Sequence, residues 1–568
     1  MNETHQLIRS CRISRLTAVA YFYLVGGYSP IAPAQGLLTT LWQFDGTNGM
    51  YPEAALVQGS DGSFYGTTAN GGTSTNCYSG CGTVFKITPQ GTLTTLYQFG
   101  DLSTDGADPE AGLVQGNDGN FYGTTAAGGT NDNGTVFRIT SQGTLTTLWR
   151  FNGDNGEWPY AGLLQGSDGD FYGTTEQGGT NVYGTVFKIT PQGTLTTLWQ
   201  FGANPTNGLN PYAGLAQGSD GNFYGTTAGG GMGTNCSNGC GTVFKITPQG
   251  TLTTLYQFGD LPTDGVGPEA VLVQGSDGNF YGTTIGGGTS TNCFSGCGTV
   301  FRITPQGTLT TLWQFNGSDG RYPQAGLVQG SNSNFYGTTA GGGTNSDGTA
   351  FQITPQGTLT TLWQFNSTNG ANPYAALVQG SDGDFYGTTH SGGTNFTVVP
   401  APPHPGGSTL STNFLGTVFR LALSGPLTVK KLQARVNLNP TKIDMDTCSL
   451  TASPALEPGF SVTNRLVTVD IGGAQESFTL NAKGSSKSPT NSCILSYAKN
   501  TKVWTLTASM KYGSWATQWE TYGVTNATTS KIGVTVTLPV TVVISNQTFA
   551  TETTLNYKAA FDKSGTLR

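Results

Sequence analysis

The sequence of 568 residues predicts an all-β protein: a seven-bladed β-propeller closed by its N-terminal strand, followed by a C-terminal β-sandwich. Three observations carry that prediction. GLLTTLWQF begins at Gly36, and GTLTTL(W/Y)(Q/R)F recurs from Gly91, Gly143, Gly193, Gly250, Gly307 and Gly357, at spacings of 50 to 57 residues. That is the period of propeller blades. Each unit reads as four short strands joined by turn chemistry, and no helical periodicity occurs from residue 36 to 424. Composition agrees, because charged residues are only 10% and aromatics 11%, the reverse of a disordered chain.

Residues 1–34 come first. Arg9, Arg12 and Arg15 precede LTAVAYFYLVGGYSPIAPAQ, an apolar run too short and too broken by Gly and Pro to span a bilayer. Ala32-Pro33-Ala34 before Gln35 has the small-residue form of a cleavage site, so a secretory signal peptide is expected here and a secreted or cell-surface address follows. No later stretch has the apolar length to cross a membrane.

Within the repeats, TLTTLWQF alternates apolar and β-branched residues, and ALVQG and NFYGTT flank a Ser-Asp-Gly hairpin turn. GTVFKI then meets the next TLTTL through Thr-Pro-Gln-Gly. The last GTVF strand falls at residues 416–421, so the seventh blade lacks its outer strand, and residues 37–44 are available to supply it. The segment 424–429, SGPLTV, is a decayed competitor with a poorer match. The propeller is therefore assigned residues 35–424.

Eight cysteines remain after residue 34. Cys77/Cys81, Cys236/Cys240 and Cys293/Cys297 sit in NC-x-x-GCGT loops without nearby His, and each loop offers two thiols where a closed zinc site needs four ligands. Short-range disulfides are expected, each rigidifying one loop, with Cys448 and Cys493 joined in the last domain. No metal or cofactor is expected.

The unit GTLTTLWQF…ALVQGSDGNFYGTT…GTVFKITPQ resembles the Gloeo/Verruco tandem repeat of exported bacterial proteins, over residues 36–424. The resemblance implies an extracellular or surface life and no particular activity; members often carry C-terminal anchors, and none is recognisable here. DGNFYGTT and GTVFKITPQGTLTTL are more loosely similar to the rhythm of virginiamycin B lyase-like propellers. That resemblance implies seven blades and transfers no catalytic motif.

One face of such a propeller holds the short, uniform turns; the other holds every length variation and every cysteine pair of the repeats. Loops on a rigid scaffold are where binding residues sit. On the elaborated face most loops leading into a blade place an aromatic beside Pro: Tyr51, Trp158 and Tyr160, Tyr212, Tyr322 and Tyr374. Flat aromatic surfaces suit sugar faces and protein hot spots, although capping of the gap between blades explains them equally simply. His390 opens an insertion unique to the seventh unit, NFTVVPAPPHPGGSTLSTNF, that also contains His404. By contrast, Asp61, Asp118, Asp168, Asp220, Asp277 and Asp382 are hairpin residues, and Trp42, Trp149, Trp199, Trp313 and Trp363 lie on strands as packing.

Residues 35–424 carry 8 basic and 23 acidic side chains, a balance that repels phosphate backbones and excludes nucleic acid as a partner. With two His after residue 34 and no nucleophile elbow, phosphate loop or H-E-x-x-H, the expectation is a monomeric binding or scaffold protein for an extracellular glycan or protein. The alternative is an extracellular enzyme acting on polysaccharide or a small cyclic substrate. Residues 425–568 shift toward Lys, Val and Thr and alternate as strands, hence the β-sandwich; Trp504, Trp515 and Trp519 are its candidate sugar platforms, with core packing expected for Trp504.

Overall fold

The computed structural model describes residues 36–422, apart from 101–104, 234–235, 237, 262, 395 and 400–410, together with a strand at Val19–Tyr23 and strands between 423 and 559. The chain divides into two compact units, Gly36–Ala422 and Met1–Gln35 with Leu423–Arg568.

The first unit is a seven-bladed propeller of four-stranded antiparallel sheets. The first blade comprises Val57–Gln58, Phe64–Thr68, Thr83–Ile87 and Leu93–Gln98. Five more follow the same order, and the seventh contains Val378–Gln379, Phe385–Thr389 and the first residues of Thr417–Asn437. Gly36–Gln43 also pairs with Thr417–Asn437. Phe44 N–H donates to Gly416 O at 3.1 Å, as Phe99 does to Gly82 at 3.0 Å, so Phe44 stands where the other blades place the Phe that ends their outer strand. The only helix among the described residues is a short 3-10 turn, Pro205–Asn207.

Strict alternation in TLTTLWQF fails at the second Thr, and the structure shows why. Tyr97 pairs with Val84 but Thr95 pairs with Phe85, leaving Leu96 as a bulge residue. The same irregularity recurs in the next five blades, where it turns Leu and the following Trp or Tyr toward neighbouring blades.

The blades are held by a repeated set of contacts. Tyr65 stacks on Phe121 at 4.0 Å, and the pattern runs round to Tyr386 on Phe64, also at 4.0 Å, which joins the seventh blade to the first. Ser60 N–H donates to Gln115 Oε1 at 3.0 Å, and Ser381 N–H to Gln58 Oε1 at 2.8 Å. These Tyr and Phe side chains are fully buried. Glycine inside FYGTT makes room for them: a Cβ on Gly66 would lie 2.6 Å from Phe85 Cζ and 2.7 Å from Leu56 Cδ2.

The three close cysteine pairs are disulfides: Cys77–Cys81, Cys236–Cys240 and Cys293–Cys297, with Cα separations of 5.2, 5.3 and 5.2 Å. Beyond closing its loop, each pair sends its second cysteine into the core. Cys81, Cys240 and Cys297 are buried, at 0%, 1% and 0% exposure, and belong to the hydrophobic core between blades. Cys81 packs with Val84 and Phe99, Cys240 with Val243 and Phe258, and Cys297 with Val300 and Phe315. The reason lies in the sequence, because each of these cysteines directly precedes the glycine that opens a GTVF strand, where the chain has already entered the blade. Each disulfide therefore ties its loop to the core, and its inner sulfur is inaccessible to a ligand.

The second unit is β-rich. Val19–Tyr23 pairs with Gln547–Ala559, Val534–Ile544 lies between Gln547–Ala559 and Leu466–Ile471, and Asp446–Pro454 and Ser492–Ala498 flank Val503–Gly513. Residues 427–429 pair with 452–454 in this unit, so 424–429 does not act as an eighth propeller strand. The side chains of Cys448, Cys493, Trp504, Trp515 and Trp519 lie outside the described residues, as does His404.

Candidate functional site at the channel mouth

Each blade is approached by a loop whose last turn is fixed from two sides. The residue before the Pro of the repeat takes a left-handed conformation in all seven blades: Tyr51 (φ 57°), Asp108 (53°), Trp158 (56°), Asn210 (55°), Gly267 (64°), Tyr322 (57°) and Asn372 (54°). Such a conformation is uncommon for residues with a Cβ. Here its N–H donates to the preceding blade and its C=O accepts from its own: Trp158 N–H binds Asn133 O at 3.2 Å, and Glu176 N–H binds Trp158 O at 3.0 Å. The Pro that follows packs over the glycine of GTVF in the preceding blade. A Cβ on Gly134 (φ 91°) would sit 2.7 Å from Pro159 Cδ and closer still to Thr125 O.

This anchoring sets the residue after each Pro at the mouth of the channel: Glu53, Glu110, Tyr160, Tyr212, Glu269, Gln324 and Tyr374 in blade order. Their electrostatics show that they share one space. The Tyr212 hydroxyl is pushed up first by burial and then by Glu110, Glu53 and Glu269, which belong to the second, first and fifth blades. Groups from opposite sides of a ring influence one another only near its axis.

The mouth is unevenly furnished. Burial, reinforced by Glu53, Asp108 and Glu176, raises the Glu110 carboxyl to about 8. Burial, with Glu176 beside it, raises Glu269 to about 7. Asp108 rises to about 6 through burial and the charges of Asp132 and Glu53. Glu176, at the end of Phe171–Thr175, is raised by burial alone. A neutral carboxyl donates as well as accepts a hydrogen bond, which suits hydroxyl-rich ligands.

Among the residues singled out from sequence, His390 has the richest surroundings. Its Nδ1 lies 2.9 Å from Glu53 Oε1, its ring stacks on Tyr51 at 4.6 Å, and Tyr374 stands 5.1 Å away. Tyr160 and Tyr212 stack on each other at 5.2 Å. Trp158 and Tyr212 each keep 37% exposure, while Tyr322 lies under Arg321, whose guanidinium is 5.5 Å from the ring centre. The candidates thus occupy two equivalent positions around the ring: Tyr51, Trp158 and Tyr322 before the Pro, and Tyr160, Tyr212 and Tyr374 after it.

Sequence reasoning passed over Glu53, Asp108, Glu110, Glu176, Glu269 and Arg321, because it looked for aromatics beside Pro. Aligning the seven units on that Pro and reading the next column would have found Glu53, Glu110 and Glu269.

The disulfide loops present Tyr78, 71% exposed, and a fully exposed Phe294, while Cys81, Cys240 and Cys297 anchor those loops from beneath. In the seventh unit, Phe396–Val399 and Ser411–Phe414 form a two-stranded ribbon. No described helix is long and apolar enough to cross a membrane.

No curated protein matches the sequence. In fold, the chain is similar to a polysaccharide lyase of the ulvan lyase type bound to a GlcA–Rha3S oligosaccharide, at 11% identity and TM-score 0.39, covering 69% of this chain and 92% of that one. It is similar to a puromycin hydrolase at 10% identity and TM-score 0.38, with 72% and 59% covered. It is also similar to a luciferin-regenerating enzyme at 12% identity and TM-score 0.32, with 53% and 87% covered. None of them lends its chemistry to this chain. The repeats are decisive where those likenesses are not: residues 23–237, 74–288 and 233–428 each match one repeat family, and the chain belongs to the Gloeobacter/Verrucomicrobia repeat family.

Proposed function

We propose that this is an exported, non-enzymatic binding protein whose channel mouth takes a hydroxyl-rich glycan. The observation that carries the reading is the combination of half-exposed Trp158 and Tyr212 with carboxyls that burial holds protonated near neutral pH. Aromatic faces desolvate cheaply against the CH face of a sugar, and protonated carboxyls bind hydroxyls without an ionic cost.

The remaining parts fit around that site. Residues 1–34 direct export and are removed, and the strand 37–44 closes the seventh blade. The ribbon of the seventh unit overhangs the mouth beside His390, and residues 425–568 form a β-sandwich that spaces the propeller from its surroundings. Cleavage after Ala34 would remove the strand Val19–Tyr23, so the N-terminal mass of the secreted protein tests export and this arrangement together.

A catalytic reading has one observation in its favour: His390 against Glu53, with the raised Glu110 carboxyl influenced by that same Glu53. A histidine against a carboxylate, with a second carboxyl raised by burial at the same mouth, is a pattern of glycan-processing sites.

The test is a glycan array probed with the secreted protein and with Trp158→Ala. Saturable binding lost in Trp158→Ala supports a lectin-like mouth. Absence of binding to every glycan overturns it, and product release from a bound polysaccharide would move the assignment to the enzyme.

A further inference from the structure

We propose that the mouth carries a separate subsite for a sugar carboxylate, built around Arg321 where loops of the fifth, sixth and seventh blades meet. This deepens the glycan reading above and rests on it.

The subsite is a pocket of about 390 Å³ lined by Val266, Ile285, Ser295, Arg321, Gln324 and Tyr374, among others. That volume lies at the lower end of the range for small-molecule sites, roughly 300–1,000 Å³. No carboxylate lines it, in a repeat domain with 23 acidic and 8 basic residues. Of those eight cations, six occupy the third strands and Arg150 ends an outer strand; Arg321 alone stands in a loop leading into a blade.

Its position is a variable one. The equivalent residues, each bridged to the loop after FYGTT, are Met50, Ala107, Glu157, Leu209, Val266 and Ala371. Arg321 has no salt bridge among the described residues, and its buried Nε–H has no acceptor. Lys86, Lys188 and Arg420 of the third strands do lie within 4 Å of a carboxylate, although the Arg420 Nε–H likewise makes no hydrogen bond. An unmatched guanidinium against a tyrosine face, in a cavity without acids, is a receptor for one planar anion.

Gly341 supports the assignment. Its φ is ordinary, and the other units place Asn70, Ala127, Gln177, Gly229, Gly286 or Ser391 there, so the backbone does not require glycine. A Cβ on Gly341 would come within 2.8 Å of Arg321 Nε, so the missing side chain is what lets the arginine lie across the pocket. Gln324 and Ser295 add amide and hydroxyl donors, and Tyr322 and Tyr374 add ring faces. One positive charge without a second cation suits a monoanion, and the ligand class that joins a carboxylate to a hydroxylated ring is a hexuronate.

The test is calorimetric titration of the full secreted chain with galacturonate and glucuronate, against galactose, glucose and glucose 6-phosphate. The uronates should bind at least tenfold more tightly than their neutral counterparts. Arg321→Gln should bring them down to the hexose level, and Gly341→Ala should weaken uronate without affecting hexose, both with melting temperatures near wild type. Equal binding of uronate and hexose, tighter binding of glucose 6-phosphate, or full uronate binding by Arg321→Gln overturns the subsite. Trp158→Ala separates the two readings: it lies in the third blade, so loss of neutral glycan binding there with no uronate preference leaves the mouth standing and removes only the pocket.

Discussion

The two ends of the channel use the same side-chain types to opposite effect. On the hairpin face, the Asp220 carboxylate accepts from Tyr224 hydroxyl at 2.8 Å and from Asn222 N–H at 3.1 Å, and the pattern recurs at Asp61, Asp118, Asp168, Asp277 and Asp382. Partial burial works against ionisation there, but hydrogen bonds outweigh it and hold Asp61, Asp118, Asp168, Asp220 and Asp277 below the usual carboxylate range. At the mouth, half-buried Asp108, Glu110 and Glu269 are raised; the hydrogen bonds of the described residues give them a single side-chain donor, Asn70 Nδ2 to Asp108 at 3.4 Å. Location alone does not decide, since Asp384 on the hairpin face also rises to about 7, burial and the charge of Asp382 outweighing nearby Arg420. Satisfied carboxylates build the scaffold, and unsatisfied ones are left for a ligand.

The largest expected effect tests the scaffold half of that contrast. Phe280 is fully buried and stacks on Tyr224 at 4.0 Å between the fourth and fifth blades. Phe280→Ala should destabilise the fold by about 3–5 kcal/mol. Tyr212→Ala at the mouth, partly exposed, should cost under about 1 kcal/mol while reducing glycan binding. Chemical denaturation of both variants checks this, and equal losses would erase the distinction between the faces.

Next is the response to pH. A carboxyl that holds its proton more tightly folded than unfolded stabilises the fold below its unfolded value, and that stabilisation is gone once pH passes its folded value. For Asp108, Glu110 and Glu269 the decline should run from about pH 4 to about pH 8. The hairpin aspartates behave oppositely: their contribution is present above 3.8 and falls away in stronger acid. Melting temperature should therefore peak near pH 4–5 and fall toward pH 8. Glu110→Gln should flatten that fall, recovering about 1–3 kcal/mol at pH 8. A wild-type profile level from pH 5 to 8 would show that the mouth carboxyls ionise freely.

What the sequence disclosed follows from what repeats disclose. Blade number and strand order were legible because Gly66, Phe85 and Tyr65 do the same work in every unit, and seven copies average out local ambiguity. The hairpin role of Asp220 was legible for the same reason. Cysteine pairing was legible from spacing, but the burial of Cys81, Cys240 and Cys297 was not, since a four-residue separation says nothing about which sulfur faces the core. The site was legible only in part, because a functional column is the one that stops repeating. Trp158 and Tyr212 stood out by being aromatic, whereas Glu110 and Glu269 gain meaning only when seven loops converge on one axis. Arg321 needed coordinates as well, since its lack of a partner is a fact about neighbours.

The smallest effect lies at the outer rim of the mouth face, where the rule of satisfied groups is broken in a way the repeats themselves control. In the sixth repeat unit, Asp319 accepts from Asn316 N–H at 2.8 Å with one oxygen and from the Trp313 indole at 3.0 Å with the other. Asp105 and Asp264 likewise accept from Tyr97 and Tyr256 hydroxyls. In the seventh unit the equivalent residue is Asn369, whose single oxygen accepts from Asn366 N–H at 3.0 Å, and the buried Trp363 indole N–H has no acceptor. Trp42, Trp149 and Trp199 share that condition, and Asn48, Asn155 and Asn207 stand at the corresponding positions. A carboxylate turns its second oxygen to the indole, whereas the amide can offer there only an NH2 group, which cannot accept. Asn369→Asp should therefore stabilise the fold by about 0.5–1 kcal/mol, and Asp319→Asn should destabilise it by about 1–2 kcal/mol. Trp363 fluorescence and melting temperature read the change. If both substitutions lower stability, loop charge outweighs the indole bond, and the unpaired tryptophans are a tolerated cost of the rim.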